Sequence, residues 1–155
     1  MTSTVLLTVV QGFGGHVIAL GIAGVGSAIG SGIAAFGAVG LWKQSIIEKK
    51  KLPPLALAMV GMPLSQTIYG MIYSNALAGA NLNPDSYLNQ MIMSFFIGLA
   101  IAASAIFQGR VGAVACANLA VDSKQGAGMY IAAMGILETV ALLAMVFGLG
   151  AIPKG

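Results

Sequence analysis

The chain has 155 residues, of which 58% are hydrophobic and only 7% are charged, and its mean hydropathy is +0.94. Because soluble domains average about 25% charged residues, this composition excludes a water-facing surface and predicts a membrane protein. The formal charge of +3 comes from cations that are scattered or sit in one short loop, so no basic face for nucleic acid is expected.

The single cysteine, Cys116, excludes an internal disulfide framework, and no Cys/His group has zinc-ligand spacing. We interpret Cys116 as a small packing residue. The N-terminal stretch lacks a basic region, since the first positive side chain is Lys43. It is therefore expected to begin the mature first helix rather than a cleaved leader.

Four apolar segments follow one another, each near or beyond the ~20 residues that cross a bilayer core. They run from about Phe13 to Trp42, from Pro54 to Ala80, from Tyr87 to about Ala120 and from Gln125 to Ile152. All four are predicted to be helices, because an open strand would leave backbone groups unpaired in lipid. The predicted fold class is thus an all-α membrane protein with four transmembrane helices.

The loops between the segments predict orientation. Residues 43–53 carry four lysines against one glutamate, residues 121–125 carry Lys124 with Asp122, and the middle loop holds Asp85 and no cation. Basic loops favour the cytoplasmic side. Loops 43–53 and 121–125 are therefore expected to face the cytoplasm of a cell-membrane, multi-pass protein, with both termini outside.

The first segment is dense in small residues at a spacing close to a helical repeat. The glycines concerned are Gly26, Gly30, Gly37 and Gly40. Small residues allow helix backbones to approach closely. Two interpretations stay open, namely ordinary packing within one bundle and a narrow helix on the inside of a ring of copies.

An internal repeat relates the two halves of the chain. SerAlaIle occurs at 27–29 and 104–106, and similar six-residue stretches occur at 62–67 and 134–139. The pattern predicts two tandem helical hairpins, residues 1–80 and residues 81–155. In this register Gln66 takes the place of Glu138, so each chain has one ionisable site.

Glu138 is a lone carboxylate near the middle of the apolar stretch 131–147. A charge at bilayer depth costs from about 2.5 to more than about 10 kcal/mol and usually marks an ion or proton pathway. Glu138 is therefore predicted to carry a cation through the membrane.

The second segment supplies polar groups on one helical face. Met62, Ser65, Gln66 and Tyr69 stand at i, i+3, i+4 and i+7. Pro63 lacks a backbone N–H and disturbs the preceding turn. Nearby carbonyls, including that of Met62, are therefore expected to tilt toward a ligand.

The third and fourth segments complete the candidate site with Gln108 and Glu138. A hard monovalent cation prefers several oxygens, at least one of them charged. The predicted donors for Na⁺ are the Glu138 carboxylate, the Gln66 and Gln108 amide oxygens, the Ser65 hydroxyl and the Met62 carbonyl. A proton would need only Glu138 with Tyr69 as partner.

Each of these residues also has a structural interpretation. Ser65, Gln66 and Gln108 could be hydrogen-bond glue between helices. Thr139 is expected to bond the carbonyl four residues before it. Tyr73 lies toward a segment end, where interfacial anchoring is favoured.

Three stretches carry a family resemblance: PLSQTIYG on the second segment, FQGR on the third and LETVALL on the fourth. With them the chain resembles, over nearly its whole length, the duplicated proteolipid of V-type rotary ATPases, the membrane rotor subunit of the sodium-binding type. The resemblance departs at Ser65, where the family often has threonine, and in the long lysine-rich first loop.

The resemblance implies a ligand set for Na⁺. The set comprises Glu138, Gln108, Gln66, Ser65 and the backbone carbonyl of Met62, with Tyr69 donating to the carboxylate and Thr139 beside it. It also implies a homo-oligomeric ring that turns in lipid against a stator subunit bearing an arginine, with a central-stalk subunit on the cytoplasmic side. ATP chemistry would lie in a soluble head, so this chain would be non-catalytic and without a nucleotide site or transition metal.

Three alternatives stay open. The same rotor could carry H⁺. A small proton-coupled multidrug exporter also has four helices and one membrane glutamate, but it needs an aromatic-lined cavity for its organic cation, and only 7% of this chain is aromatic. A purely structural four-helix protein would leave the matched Gln66 and Glu138 unexplained.

Overall fold

A computed structural model describes residues 3–122 and 126–153, with side chains from residue 15 onward. These residues form only helices and connecting turns, without any strand. The helices are α1 (Ser3–Ile47), α2 (Leu55–Gly61), α3 (Ser65–Ala78), α4 (Tyr87–Val121) and α5 (Ala127–Gly150). Short 3₁₀ turns occupy Met62–Leu64 and Pro84–Ser86.

Four stretches in the described chain are long and apolar enough to cross a membrane. They are Gly15–Ile47, Leu55–Ala78, Pro84–Val121 and Ala127–Gly150. The prediction of an all-helical, multi-pass membrane protein is confirmed at this level. The loop residue Lys124 and the predicted start of the fourth segment at Gln125 lie outside the described residues.

The first helix is longer than predicted. Its start at Ser3 agrees with the expectation that the N-terminal stretch begins this helix, but it continues past Trp42 to Ile47. Hydropathy marks where the apolar stretch stops, but lysine and glutamine are good helix formers and carry the helix further. The end of an apolar segment is therefore not the end of its helix.

The second span is interrupted, as Pro63 predicts. The 3₁₀ turn Met62–Leu64 separates α2 from α3. Since Pro63 has no N–H, it cannot serve the carbonyl of Met59 four residues earlier. The Met62 carbonyl, in contrast, accepts the backbone N–H of Ser65. The Met62 carbonyl, which the sequence predicted to turn toward a ligand, therefore already has a backbone donor.

Glycines join α1 to α4. Gly26 lies against Ala102, and the backbones of Gly30 and Gly109 touch so closely that a Cβ on either would overlap the opposite helix. Residue numbers rise together along both helices at these contacts, so α1 and α4 run in the same direction. Close parallel packing of the two small-residue helices is the central contact of the fold.

The other helices cover this pair. α3 packs on α1 and α5, while α5 packs mainly on α4. The interior contains Cys116 and Tyr73, both without solvent exposure. The packing role of Cys116 is confirmed. The interfacial placement of Tyr73 is wrong, because its hydroxyl lies in the interior, 3.5 Å from Ser94 Oγ.

Candidate functional site

Two buried glutamines meet between α3 and α4. Gln66 and Gln108 have no solvent exposure. Gln66 Nε2 donates to Gln108 Oε1 at 3.0 Å and to Ser104 Oγ at 3.4 Å. Both amide hydrogens of Gln66 are therefore used, and this bonding orients its Oε1 away from α4.

The oxygen of Gln66 belongs to a group of three around Ser65. Ser65 Oγ lies 2.9 Å from the Met62 carbonyl oxygen and 3.2 Å from Gln66 Oε1. A hydroxyl has one proton and can donate it to only one of these acceptors at a time. A small cation, in contrast, can be shared by all three oxygens. The Pro63 turn favours this proximity, because its 3₁₀ geometry brings Ser65 onto the carbonyl of Met62, three residues earlier.

Two hydrogen bonds attach these groups to α5. Gln108 Nε2 donates to the Met134 carbonyl at 3.0 Å. Ser104 Oγ donates to the Leu137 carbonyl at 2.7 Å. Both acceptors lie on α5 within about one turn before Glu138. These bonds from α4 therefore fix the position of the Glu138 backbone relative to α4. We refer to Met62, Ser65, Gln66, Ser104 and Gln108 as the oxygen cluster.

Ser104 is the member that sequence reasoning did not assign to the site. It is 4% exposed, and its hydroxyl joins Gln66 on α3 to Leu137 on α5. Its position one turn before Gln108 and its place in the repeated SerAlaIle stretch were the available signals. Neither signal indicates that Ser104 donates to the Leu137 carbonyl.

The carboxylate of Glu138 is held by Tyr69. The Tyr69 hydroxyl donates to Glu138 Oε1 at 2.6 Å, and both residues are partly buried. Within the described chain, Glu138 makes no hydrogen bond to Gln66 or Gln108. Tyr69 lies one turn after Ser65 on α3, so its hydrogen bond places the carboxylate near the oxygen cluster. The bonds from Ser104 and Gln108 to the α5 backbone provide a second connection.

The remaining predicted site residue lies outside this arrangement. Thr139 is exposed, and its hydroxyl donates to the Ile136 carbonyl of its own helix at 2.6 Å. The bond reaches three residues back rather than the predicted four. Thr139 therefore satisfies its own hydroxyl and does not contact the oxygen cluster.

The chemistry of the donors suggests what could join them. Hydrogen bonds from the Ser65 and Tyr69 hydroxyls and from the Gln66 amide hold these oxygens in place. An oxygen can accept more than one partner, and a hard monovalent cation suits a set of neutral oxygens with one carboxylate. The described site thus has a group of neutral oxygens, with one carboxylate hydrogen-bonded to Tyr69 close by.

Comparison with protein-family models and with curated proteins finds no match to this chain.

Proposed function

We propose that this chain is the ion-carrying rotor subunit of a V-type, sodium-translocating rotary ATPase. One observation carries the proposal. The oxygens of Met62, Ser65 and Gln66 lie together beside Gln108, inside spans that are apolar enough to cross a membrane. The lone carboxylate, Glu138, accepts a hydrogen bond from Tyr69, one turn after Ser65 on α3.

Charge gives the mechanism. An ionised Glu138 facing hydrocarbon would be strongly unfavourable, whereas Glu138 with Na⁺ among the neighbouring oxygens is neutral overall. A loaded site can therefore travel through lipid and an unloaded one cannot. Tyr69 holds the carboxylate toward α3 by its hydrogen bond. An arginine of a stator subunit would stabilise the bare carboxylate while one ion leaves and another enters.

The packing of the small-residue helices supports a ring. In this proposal the chain is two tandem hairpins, with α1 and α4 side by side facing the ring axis. The face of α1 that turns away from α4 also carries glycines, Gly21, Gly24 and Gly32, at which an added Cβ would meet no atom of another described element within 4 Å. Small residues on a membrane helix permit close approach of another helix. A second copy is the partner that a ring would place there.

The ends of the helices support the proposed orientation. Residues of loop 43–53 and of the α4 end line one shared cavity of about 310 Å³, so the start of loop 121–125 lies at the same end of the bundle as loop 43–53. The positive-inside rule favours the cytoplasmic side of the cell membrane for this end. A central-stalk subunit would bind there, and the soluble head would carry the ATP chemistry.

The hydrogen bond from Tyr69 to Glu138 would also serve a rotor that carries H⁺. Equilibrium binding of radioactive sodium to the purified, detergent-solubilised protein distinguishes the two. The wild type is expected to bind one Na⁺ per chain. Glu138→Gln should bind none, because its neutral amide cannot balance the ion. Thr139→Ala is the matched control and should bind like the wild type. Absence of Na⁺ binding in the wild type would remove the sodium assignment.

A further inference from the structure

A third buried glutamine, Gln90, lies near the start of α4, at the end of the bundle away from loop 43–53. Its side chain is 5% exposed. Its Nε2 lies 3.5 Å from the carbonyl oxygen of Ala151, which follows the last residue of α5. This contact assigns the amide nitrogen to that side, because two facing oxygens would repel each other. The Oε1 of Gln90 accepts no hydrogen bond from the described residues.

The other two buried glutamines are bonded through both ends of the amide. Gln66 Nε2 and Gln108 Nε2 each donate at 3.0 Å, and their oxygens accept from Ser65 and from Gln66. A buried amide oxygen without a donor is unfavourable, so nearly all such groups bond to protein or to ordered water. Gln90 therefore needs a donor that its own chain does not supply.

A tyrosine hydroxyl close to Gln90 needs an acceptor. Ser94 follows Gln90 by one turn of α4, so the two side chains are neighbours. Ser94 Oγ donates to the Tyr73 hydroxyl on α3 at 3.5 Å, and both residues are without solvent exposure. A phenolic hydroxyl can also donate its own proton. Among the described residues, none accepts that proton from Tyr73.

The two contacts within this group are longer than ordinary hydrogen bonds. O–H···O bonds are usually about 2.7–2.8 Å long and N–H···O bonds about 2.9–3.0 Å, whereas both contacts here measure 3.5 Å. Direct bonding between the helices is therefore weak. An unfilled acceptor on Gln90 and an unfilled donor on Tyr73 remain, and the Ser94 side chain connects them.

Water is the small ligand that matches this pair, because it donates and accepts at once. It can donate to Gln90 Oε1 while it accepts from the Tyr73 hydroxyl. A metal cation would serve the oxygens alone. In the part of the chain that the structure describes, no carboxylate bonds to this group and could balance such a charge.

We propose that Gln90 and Tyr73 bind a buried water molecule, with Ser94 orienting the tyrosine hydroxyl. The water joins α3 to α4 and supplements the weak contact of Gln90 with the end of α5. The inference depends on the packing of the helices and not on sodium binding. It can therefore fail or succeed independently of the rotor proposal.

The depth of the site allows water to reach it. Ser94 precedes Ser104 of the oxygen cluster by ten residues, about 15 Å along α4. The hydrocarbon core ends about 15 Å from its midplane. With the oxygen cluster near mid-membrane, the proposed water lies at the edge of the hydrocarbon. Leu77 and Met145 pack with Tyr73 and separate the site from bulk solvent.

Hydroxyl-radical labelling of the detergent-solubilised protein tests the proposal. A short X-ray pulse produces the radicals from water, and mass spectrometry then locates the oxidised side chains. A buried side chain is labelled only if a water molecule lies beside it. Tyr73 is expected to be labelled. Met59 is the internal control, because it is equally unexposed in an apolar cluster and its thioether is more easily oxidised than a phenol.

The variant Q90L removes the amide that would hold the water. Labelling of Tyr73 is expected to fall to the level of Met59. The matched control Q44L makes the same chemical change on the exposed surface of α1 and should leave the labelling of Tyr73 unchanged. Should Q90L assemble poorly, Q90N replaces it, since the shorter side chain keeps the amide but withdraws its oxygen from the site.

Two results would overturn the inference. Labelling of wild-type Tyr73 no stronger than that of Met59 would show that no water is bound beside the tyrosine. Labelling of Tyr73 that is equal in the wild type and in the Gln90 variant would show that Gln90 does not hold the water.

Discussion

Ser104 has a hydroxyl that serves two helices at once. It donates to the Leu137 carbonyl and accepts from Gln66, so it connects the second span to the backbone next to Glu138. Without Ser104, the Gln66 amide would be hydrogen-bonded to α4 through Gln108 alone. Ser104 therefore sets the distance between the amide oxygens and the carboxylate without having to touch the ion.

Replacing Ser104 by alanine is expected to weaken Na⁺ binding while the protein still assembles. One net hydrogen bond contributes about 1 kcal/mol, which corresponds to a rise of about fivefold in the Kd for sodium. Ser94→Ala is the matched control, because Ser94 is equally buried on α4 and bonds only Tyr73, at 3.5 Å. Sodium titration of both variants checks this, and equal Kd values for the two would show that Ser104 has no positioning role.

At the residue scale, the sequence identified the groups whose chemistry is unusual for their surroundings. A glutamate and two glutamines in apolar stretches can be recognised without coordinates, because each is costly there unless it has a function. Ser104 could not be recognised in this way, since serine is common in membrane helices and its role depends on which carbonyl faces it. The burial of Tyr73 was also missed, because it depends on which helices pack around that position.

At the scale of elements, the interruption at Pro63 was predictable and its consequence was not. A proline inside an apolar segment predicts a local break, and the 3₁₀ turn is found there. The sequence did not show that the turn would leave the Met62 carbonyl with a backbone donor, the N–H of Ser65. The extension of α1 to Ile47 was also missed, because hydropathy measures affinity for lipid and not helix formation.

The contact between α1 and α4 leads to a prediction about stability. Gly30→Ala is expected to destabilise the protein, because a Cβ at Gly30 would overlap the backbone of Ala105. Overpacking of this kind costs about 1–3 kcal/mol. Gly40→Ala is the matched control in the same helix, since no atom lies within 4 Å of a Cβ there. Thermal unfolding followed by circular dichroism should show a lower Tm for Gly30→Ala alone, and equal Tm values would contradict the packing described.

At the scale of the whole molecule, one chain does not cover its own surface. Large apolar side chains point outward from all four spans, and Phe36 and Ile136 are 82% and 70% exposed. Lipid can cover such side chains. The uncovered glycines of α1 are different, because they gain little from lipid and allow a second helix to approach.

A ring is therefore expected in detergent extracts. Light scattering should give a protein mass many times the 15.6 kDa of one chain. Gly32→Leu adds bulk to the uncovered face of α1 and is expected to lower the assembled mass while helix content stays the same. Gly40→Ala again serves as control. A monomeric or dimeric wild type would contradict the ring.

The most direct test of the central claim is the rate at which a carbodiimide modifies Glu138 in the solubilised protein, followed by mass spectrometry with sodium or choline as the cation. The account predicts that sodium slows the modification of the wild type, and that Gln66→Ala and Gln108→Ala weaken this protection because they remove oxygens that share the ion. A modification rate for wild-type Glu138 that is the same with sodium as with choline, across the pH range in which the protein is stable, would contradict it.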